Sequence, residues 1–263
     1  MTQASNPRMS IESSIVRFVR PAGDGIFIAG FDAPSIARSI QPAQFLNIRV
    51  TEGSEILLRR PFSVYHVEDD TVEIIFNVVG RGTATLSRKR PGDVLDVLGP
   101  LGHGFDVHGD GFESAILIGG GLGVAPLPMT VRALRSAGKH VVTVLGARTA
   151  SMLVTDHLEG AQVATDDGSR GFHGTVVQLA QQVAIGGGKL RPAVFACGPT
   201  PMLRAVAEFA RAADYRCQVS LEGAMGCGIG ICQGCPVRRS TREPEYALMC
   251  KDGPVFDVRD IVI

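Results

Sequence analysis

The sequence lacks an excess of charge of either sign. Its 263 residues include 26 Lys plus Arg and 26 Asp plus Glu, so the formal net charge at pH 7 is zero. Proteins that bind nucleic acid carry a basic patch or stripe, and no long basic or acidic run occurs in this chain. We therefore expect no nucleic-acid partner.

Long apolar runs and internal repeats are also missing, and we expect no secretory leader. No run approaches the roughly 18 apolar residues that a bilayer-spanning helix needs. The sequence therefore predicts no membrane span. We expect a cytosolic protein, and a reducing compartment also suits free thiols.

Cysteine is scarce, and its distribution is uneven. Four of the six cysteines belong to one pattern: C-x4-C-x2-C at Cys227, Cys232 and Cys235, then Cys250 after fourteen intervening residues. This spacing is typical of plant-type [2Fe-2S] clusters. Glycines surround the first three cysteines, as a backbone that wraps closely around a cluster requires. We predict a [2Fe-2S] cluster held by these four thiolates.

Zinc and disulfides are the alternatives for these cysteines. A structural zinc site usually pairs one CxxC with a second pair of ligands, and only Cys232 and Cys235 fit that form. Disulfides are rare in a chain of this size without a secretory leader. Cys217 has apolar, strand-like surroundings typical of a buried, inert thiol. From the residues alone, a zinc-stabilised nucleotide-binding module stays open.

The first part of the chain reads as short strands separated by turns. Residues 1–10 are polar and are expected to be disordered. Pro, Gly and Asp punctuate the segments that follow, which indicates tight turns. Six predicted strands suggest a small antiparallel barrel: Ser14–Val19, Gly25–Phe31, Phe45–Val50, Phe62–Val67, Val72–Val79 and Asp93–Leu98.

Two motifs in this barrel are suited to a diphosphate. The sequence Arg60-Pro61-Phe62-Ser63 places an arginine and a hydroxyl at the start of a strand. Gly82-Thr83 lies in a glycine turn that opens a predicted helix, whose free N–H groups can hold phosphate. Arg60 could add charge-assisted hydrogen bonds to a flavin diphosphate. Taken alone, each motif has a simpler structural explanation: RPFS is typical of a strand start with an exposed arginine, and GRGT of a hairpin-to-helix turn.

From about Phe112 the pattern changes to short apolar runs that alternate with helical stretches. This alternation predicts βαβ units and a doubly wound domain with five parallel strands, whose ligands bind at the carboxyl ends of the strands. The predicted strands are Ala115–Gly119, Val141–Leu145, Gln162–Thr165, Val194–Cys197 and Gln218–Leu221. Helices are predicted up to Ala137, over Thr175–Val183 and over Pro201–Ala213.

The glycine loop after the first of these strands departs from the dinucleotide fingerprint. Pro126 stands where the last glycine would be, and no Asp or Glu ends the second strand. These departures disfavour a standard Rossmann dehydrogenase. A second short turn, Cys197-Gly198-Pro199, follows the fourth strand; Cys197 there could equally be a buried small residue or lie beside a nicotinamide.

Taken in order, RPFS, GRGT, GGGLGVAPL, ACGP and the cysteine tail resemble the ferredoxin-reductase superfamily over nearly the whole chain. More narrowly, EGAMGCGIGICQGC with ALMCKDGPVFD resembles the electron-transfer subunits of NAD-dependent, heteromeric (type B) dihydroorotate dehydrogenases. The resemblance implies that FAD binds at Arg60, Pro61, Phe62, Ser63, Phe76, Asn77, Val78, Gly82 and Thr83. It implies that NAD(H) binds at Gly119, Gly120, Gly121, Gly123, Cys197, Gly198 and Pro199, and that a [2Fe-2S] cluster binds at Cys227, Cys232, Cys235 and Cys250.

The same resemblance implies an α+β multidomain fold. The expected parts are an FAD-binding antiparallel β-barrel over residues 11–108, an NAD-binding doubly wound α/β domain over 109–221 and a small [2Fe-2S] module over 222–263. The last segment has only about forty residues, which is too few for a complete plant-type ferredoxin domain.

The function implied by the resemblance is electron transfer in pyrimidine biosynthesis. Electrons would pass between NAD(H) and an FMN-containing catalytic subunit that interconverts dihydroorotate and orotate, in a heterotetramer with two copies of each subunit. No catalytic acid or base is expected in this chain. A related redox subunit with a sulfide- or ferredoxin-linked partner is the nearest alternative. In electron-bifurcating transhydrogenase subunits an aspartate replaces the first cluster cysteine, which here is Cys227.

Overall fold

The structure, a computed structural model, describes residues 9–51, 53, 56–109, 111–186, 191–241 and 243–263. Most of the segment expected to be disordered, residues 1–8, lies outside this description, whereas Ser10 already begins the first strand. Within the described part, no helix is both long enough and apolar enough to cross a membrane.

The first six strands close into an antiparallel barrel, as predicted. Neighbouring strands follow the order β1-β2-β5-β4-β3-β6. Side chains that point into the barrel, such as Leu46, Ile48 and Val64, have no exposed surface. The strands and the two helices between them are β1 (Ser10–Gly23), β2 (Ile26–Asp32), α1 (Pro34–Ala37), β3 (Phe45–Arg49), β4 (Arg60–Glu68), β5 (Thr71–Asn77), α2 (Arg81–Leu86) and β6 (Val94–Leu101).

Strand β1 runs further than its sequence suggests. Pro21 indicates a turn, yet it pairs with Phe27 inside the ladder of β1 and β2. The register shifts between Pro21 and Gly23. A bulge is one of the few places where a strand accepts proline, because the missing N–H is not needed there. The actual turn is at Asp24 and Gly25.

The second unit is a parallel sheet with helices packed against it. Its order is β10-β9-β8-β7-β11-β12-β15, with all pairs parallel except the last. The elements are β7 (Ser114–Gly120), α3 (Leu127–Ser136), β8 (His140–Ala147), β9 (Gln162–Thr165), β10 (Phe172–His173), α4 (Val176–Gly186), β11 (Ala193–Cys197), α5 (Thr200–Ala212) and β12 (Cys217–Ser220), with short 3-10 helices at Gly121–Val124 and Ala150–Met152.

The sheet has two strands more than the five expected. Strand β10 contains only two residues, which is too short for any periodicity to reveal. Strand β15 (Val255–Asp257) comes from the C-terminal segment and pairs antiparallel with β12 at the edge. The residues next to β15 in the sequence do not indicate that it pairs with β12.

The C-terminal segment is anchored to the sheet at both ends. It leaves from β12, forms the two-stranded ribbon β13 (Pro236–Arg238) and β14 (Tyr246–Leu248), and continues into the one-turn helix α6 (Met249–Asp252). It then returns as β15. The domain limits 11–108, 109–221 and 222–263 stay a prediction; in the fold, the last segment contributes a strand to the sheet.

Polar and ring contacts join the barrel to the sheet unit. The hydroxyl of Tyr65, on β4, donates to the carbonyl of Asp156 at 2.6 Å. His66 stacks on His157 with a centroid distance of 3.8 Å. Burial, together with the charges of His157 and Arg132, lowers the pKa of His66 to about 4. These contacts fix how the two units face each other.

Candidate functional site

A cavity of about 340 Å³ lies between the barrel, the first loop of the sheet unit and the C-terminal segment. Its walls come from three distant parts of the chain, so it exists only in the folded protein. Its lining residues are Phe45, Arg60, Pro61, Phe62, Ser63, Ile75, Phe76, Asn77, Val79, Thr83, Leu122, Ala125, Leu221, Glu222, Gly223, Met225 and Pro254.

Seven of the nine residues expected to bind FAD line this cavity. They are Arg60, Pro61, Phe62, Ser63, Phe76, Asn77 and Thr83. Val78 is not among the described lining residues, whereas its neighbour Val79 is. Gly82 lies beneath Arg60: a Cβ atom there would come to 3.0 Å from Nε of that arginine. Gly82 therefore gives the Arg60 side chain room beside the cavity.

The polar groups of this cavity leave binding capacity for a ligand. Oδ1 of Asn77 is buried and has no hydrogen-bond partner among the described residues. The Thr83 hydroxyl accepts from the backbone N–H of Val79 at 2.9 Å and orders the turn. One guanidinium nitrogen of Arg60 donates to the carbonyl of Leu58 at 2.7 Å, and the fork of this group has further donors. A buried amide oxygen without a partner is costly unless a ligand supplies one.

A second cavity, of about 700 Å³, opens at the carboxyl ends of the parallel strands. This is where doubly wound sheets bind nucleotides. Most of its lining residues lie at or beyond the ends of β7, β8, β9, β10 and β11, and the end of β5 and the segment after β12 contribute one residue each. The lining residues are Asn77, Gly120, Gly121, Leu122, Gly146, Ala147, Arg148, Met152, Asp166, Thr175, Val176, Val177, Pro199, Pro201, Met202, Ala205 and Glu222.

The residues expected to bind NAD(H) divide into two groups. Gly120, Gly121 and Pro199 line the second cavity. Gly119, Gly123, Cys197 and Gly198 are not among its described lining residues and lie behind the wall. A Cβ on Gly123 would overlap the carbonyl group of Cys197, so this glycine lets the loop after β7 touch the end of β11. These four residues shape the cavity.

The two cavities meet at three shared residues, Asn77, Leu122 and Glu222. Glu222 was not among the expected site residues. Its carboxylate is 3.9 Å from the sulfur of Cys197. Burial raises the pKa of Glu222, and burial together with the Glu222 charge raises the pKa of Cys197. The sequence did offer one signal for Glu222: it lies just after the end of β12, and ligands of doubly wound sheets bind at the carboxyl ends of the strands.

The four predicted cluster cysteines come together, from two separate stretches of chain. The sulfurs of Cys235 and Cys250 are 3.3 Å apart, and the backbone N–H of Cys232 donates to the sulfur of Cys227 at 3.4 Å. The sulfurs thus form two pairs, and all six cysteines of the chain are free thiols. Among the described residues, no three or more His, Cys, Asp or Glu side chains lie close enough together to hold one metal ion.

Backbone donors around the sulfurs favour thiolates. Burial alone would raise the pKa of Cys227, but N–H groups of Cys232 and Ile229 donate to its sulfur and lower the pKa to about 6. Gly230 N–H donates to the sulfur of Cys250 at 3.1 Å. Burial, followed by the neighbouring Cys235 thiol, raises the pKa of Cys250 to about 12 when no cation is bound.

Two glycines of this loop lie close to the sulfur of Cys232. A Cβ on Gly226 would lie 3.3 Å from the sulfur of Cys232, and a Cβ on Gly234 would lie 3.5 Å from the same atom. The side chain of Cys232 is exposed, whereas Cys235 and Cys250 are buried. Two thiol pairs, amide donors and glycines next to a sulfur fit a [2Fe-2S] cluster, which takes two thiolates on each iron.

A closed barrel, a nucleotide-binding sheet and two joined cavities define a ferredoxin-reductase-like protein, here with a four-cysteine segment attached. A solved structure of an NADH-dependent reduced ferredoxin-NADP oxidoreductase, described for flavin-based electron bifurcation, superposes with a TM-score of 0.82 at 29% identity, covering 95% of this chain and 89% of that one. A ferredoxin NADP+ reductase from Neisseria gonorrhoeae shares the fold, with a TM-score of 0.65 at 16% identity, covering 77% of this chain and 91% of that one.

Sequence relatives identify the family. The chain is 40% identical over 230 residues to the electron transfer subunit of dihydroorotate dehydrogenase B (NAD(+)) from Geobacillus kaustophilus, covering 85% of this chain and 87% of the relative. The equivalent subunit from Geobacillus sp. WCH70 is 37% identical over 262 residues, covering 96% and 98%. Residues 222–262 match the family model for the iron-sulfur cluster binding domain of dihydroorotate dehydrogenase B. This chain belongs to the family of dihydroorotate dehydrogenase B electron transfer subunits.

Proposed function

We propose that this chain carries electrons between NAD(H) and an FMN-containing catalytic subunit that interconverts dihydroorotate and orotate. The observation that carries the proposal is the continuity of the three sites. The two cavities share Asn77, Leu122 and Glu222. The first cavity is also lined by Gly223 and Met225, and Met225 stands two residues before the cluster ligand Cys227.

The residues of the first cavity suit FAD. Arg60 and the turn at Thr83 offer donors to a diphosphate, and the unpaired oxygen of Asn77 offers an acceptor to a flavin N–H. Bound there, FAD would accept a hydride and release single electrons, which is the conversion that an iron-sulfur cluster requires. The chain itself would hold the reactants in contact; no acid or base is required of it for that step.

The second cavity suits NAD(H). Glycines at the loop after β7 let a nucleotide approach the backbone, and Pro199, whose ring lies beside Gly120, lines the same cavity. Because Glu222 lines both cavities, its side chain lies where a nicotinamide would meet the flavin. Arg148 and Asp166 also line this cavity. We propose NAD(H) as the physiological nucleotide, in line with the name of the relatives.

The cluster would be held by Cys227, Cys232, Cys235 and Cys250, and Cys232 is the exposed ligand. We propose a cytosolic heterotetramer of two chains of each kind, because thiolate ligands require a reducing compartment and the relatives are named as subunits. We also propose that the chain divides into three functional parts: a flavin barrel over residues 11–108, a nucleotide domain over 109–221 and a cluster module over 222–263.

The test is an anaerobic visible spectrum of the purified chain with iron and acid-labile sulfide analysis, before and after addition of NADH. Flavin bands and a broad cluster absorption that are both bleached by NADH, and more slowly by NADPH, are expected. A colourless protein that contains zinc would refute the proposal and favour a zinc-stabilised nucleotide-binding module.

The partner is tested separately. Co-expression with the catalytic dihydroorotate dehydrogenase subunit of the same organism should yield a complex that reduces orotate with NADH, and its mass should match two copies of each chain. If the chain is reduced by NADH but forms no complex with that subunit, a sulfide- or ferredoxin-linked partner becomes the better assignment.

A further inference from the structure

Asn47 connects the barrel to the cluster segment. It lies on β3 and is only 1% exposed. Its side-chain nitrogen donates to the carbonyl oxygen of Cys227 at 3.0 Å, across 180 residues of sequence. The next residue, Gly228, has a φ of +74°, and a Cβ there would come to 2.5 Å from the same nitrogen. The amide of Asn47 therefore rests directly on the backbone of the first predicted cluster ligand.

The backbone of Asn47 belongs to the frame of the first cavity. It pairs with Pro61 on β4, a residue of the cavity wall. Arg59 donates to the carbonyl of Asn47 at 3.2 Å, and the same guanidinium binds the Asp96 carboxylate at 2.7 Å. The position of Asn47 is thus fixed from the barrel side before its side chain reaches the cluster loop.

Packing alone does not explain an asparagine at position 47. Oδ1 of Asn47 is buried and has no partner among the described residues. An unpaired buried oxygen destabilises the fold, and an apolar side chain of the same shape would avoid that cost. Leu98, its neighbour on β6, shows that this face of the barrel accepts leucine. The donor atom of Asn47 is what an apolar residue would lack.

We propose that Asn47 is a positioning residue for electron transfer: through its hydrogen bond to Cys227 it sets the distance and orientation of the cluster loop relative to the flavin cavity. The inference rests on the proposed function. Electron tunnelling weakens steeply with distance, so a loop that drifts away from the barrel slows transfer even when both cofactors are bound. Pro61 and Asn47 give a short connection from the cavity wall to the Cys227 ligand.

Asn47→Leu removes the donor at nearly constant shape. A buried carbonyl left without its donor shifts the equilibrium between seated and displaced loops by about tenfold. We expect flavin reduction by NADH to be unchanged in stopped-flow absorbance at the flavin band, and cluster reduction to be about tenfold slower. The electron paramagnetic resonance spectrum of the dithionite-reduced cluster should broaden, which reports the loop without any turnover.

The matched control is Gln44→Leu. Gln44 is also 1% exposed and precedes the same strand. Its side chain donates to the carbonyl of Gly102 at 2.7 Å and accepts from the N–H of Gln41 at 2.8 Å, so neither hydrogen bond goes to a cysteine. It should lower the melting temperature about as much as Asn47→Leu while leaving the cluster spectrum and both reduction phases unchanged. Asn47→Ala, which also lacks the donor but avoids any crowding of Gly228, replaces Asn47→Leu if that variant does not fold.

Two results separate the possible failures. If the wild-type protein contains no cluster or flavin, the proposed function fails and this inference fails with it. If both cofactors are present and Asn47→Leu matches Gln44→Leu in its cluster spectrum and reduction rates, the positioning role of Asn47 is refuted and the proposed function stands.

Discussion

Replacing Gly123 with alanine should impair NADH binding while leaving the flavin and the cluster in place. The added Cβ would overlap the carbonyl group of Cys197 and would lie 2.6 Å from the backbone nitrogen of Gly198. Backbone atoms cannot rotate away, so the loop after β7 has to separate from the end of β11. Overpacking of this kind costs about 1–3 kcal/mol. If that cost falls on the nucleotide cavity, it corresponds to an increase of about 5- to 150-fold in the KM for NADH.

The assay is NADH-dependent reduction of a soluble dye by the purified chain, with the flavin content measured on the same samples. Gly138→Ala is the control substitution. Gly138 follows α3 with a φ of +73°, and no atom lies within 4 Å of the place that the alanine methyl would take, so alanine there meets backbone strain but no clash. It should destabilise the fold by about 1 kcal/mol and leave the KM unchanged.

The reasoning would be refuted by a Gly123→Ala protein whose KM for NADH equals that of the wild type. A parallel loss of flavin would also contradict it, because the clash lies on the nucleotide side of the shared wall. An equal rise of the KM in both glycine variants would mean that general destabilisation, and not contact between the loop and Cys197, governs NADH binding.

Three further predictions rest on particular contacts. As pH falls from about 7 to about 5, the unfolding free energy should drop by about 1 kcal/mol, because the histidine at position 66 binds a proton in the unfolded chain but not in the folded one. This value is smaller than the full shift of the His66 pKa to about 4 would give, because the side chain is partly exposed. Denaturant titration of His66→Phe should show a smaller drop. Tyr65→Phe should lower the unfolding free energy by about 1 kcal/mol, because the buried Tyr65 side chain loses its hydrogen bond to the carbonyl of Asp156, and an unchanged denaturation midpoint would contradict this. Cys235→Ser should abolish the cluster absorption and iron content, whereas Cys217→Ser, at a buried position in β12, should retain both.

Local patterns in the chain were sufficient for much of the fold. Strand periodicity and turn residues gave all six barrel strands and the five main parallel strands to within a few residues, because alternation along a strand reflects one buried face. The errors occurred where local signals were overridden or too short. Pro21 continues a strand at a bulge, and β10 has two residues. The assignment of the cluster cysteines stays a prediction, which rests on a spacing typical of plant-type [2Fe-2S] clusters.

The candidate site was predictable only in part. Motifs located one wall of each cavity: Arg60 to Ser63 for the first, and Gly120 with Gly121 for the second. Six other expected site residues, Val78, Gly82, Gly119, Gly123, Cys197 and Gly198, are not among the described lining residues of either cavity. A motif specifies that the chain turns at a given place. Which residues of the turn face a ligand depends on the element that packs against the turn, and that element is distant in sequence.

The sequence by itself determined the cofactor chemistry of this protein, since the cysteine spacing over residues 227–250, the arginine turn and the glycine loop are each recognisable within one continuous stretch of the chain. Only the tertiary structure decided how those parts are connected. Glu222 joins two cavities, β15 ties the cluster segment to the sheet, and Asn47 reaches Cys227 from the barrel. The physical reason is that such contacts join residues far apart in sequence, where no periodicity or spacing in the chain records that they will meet.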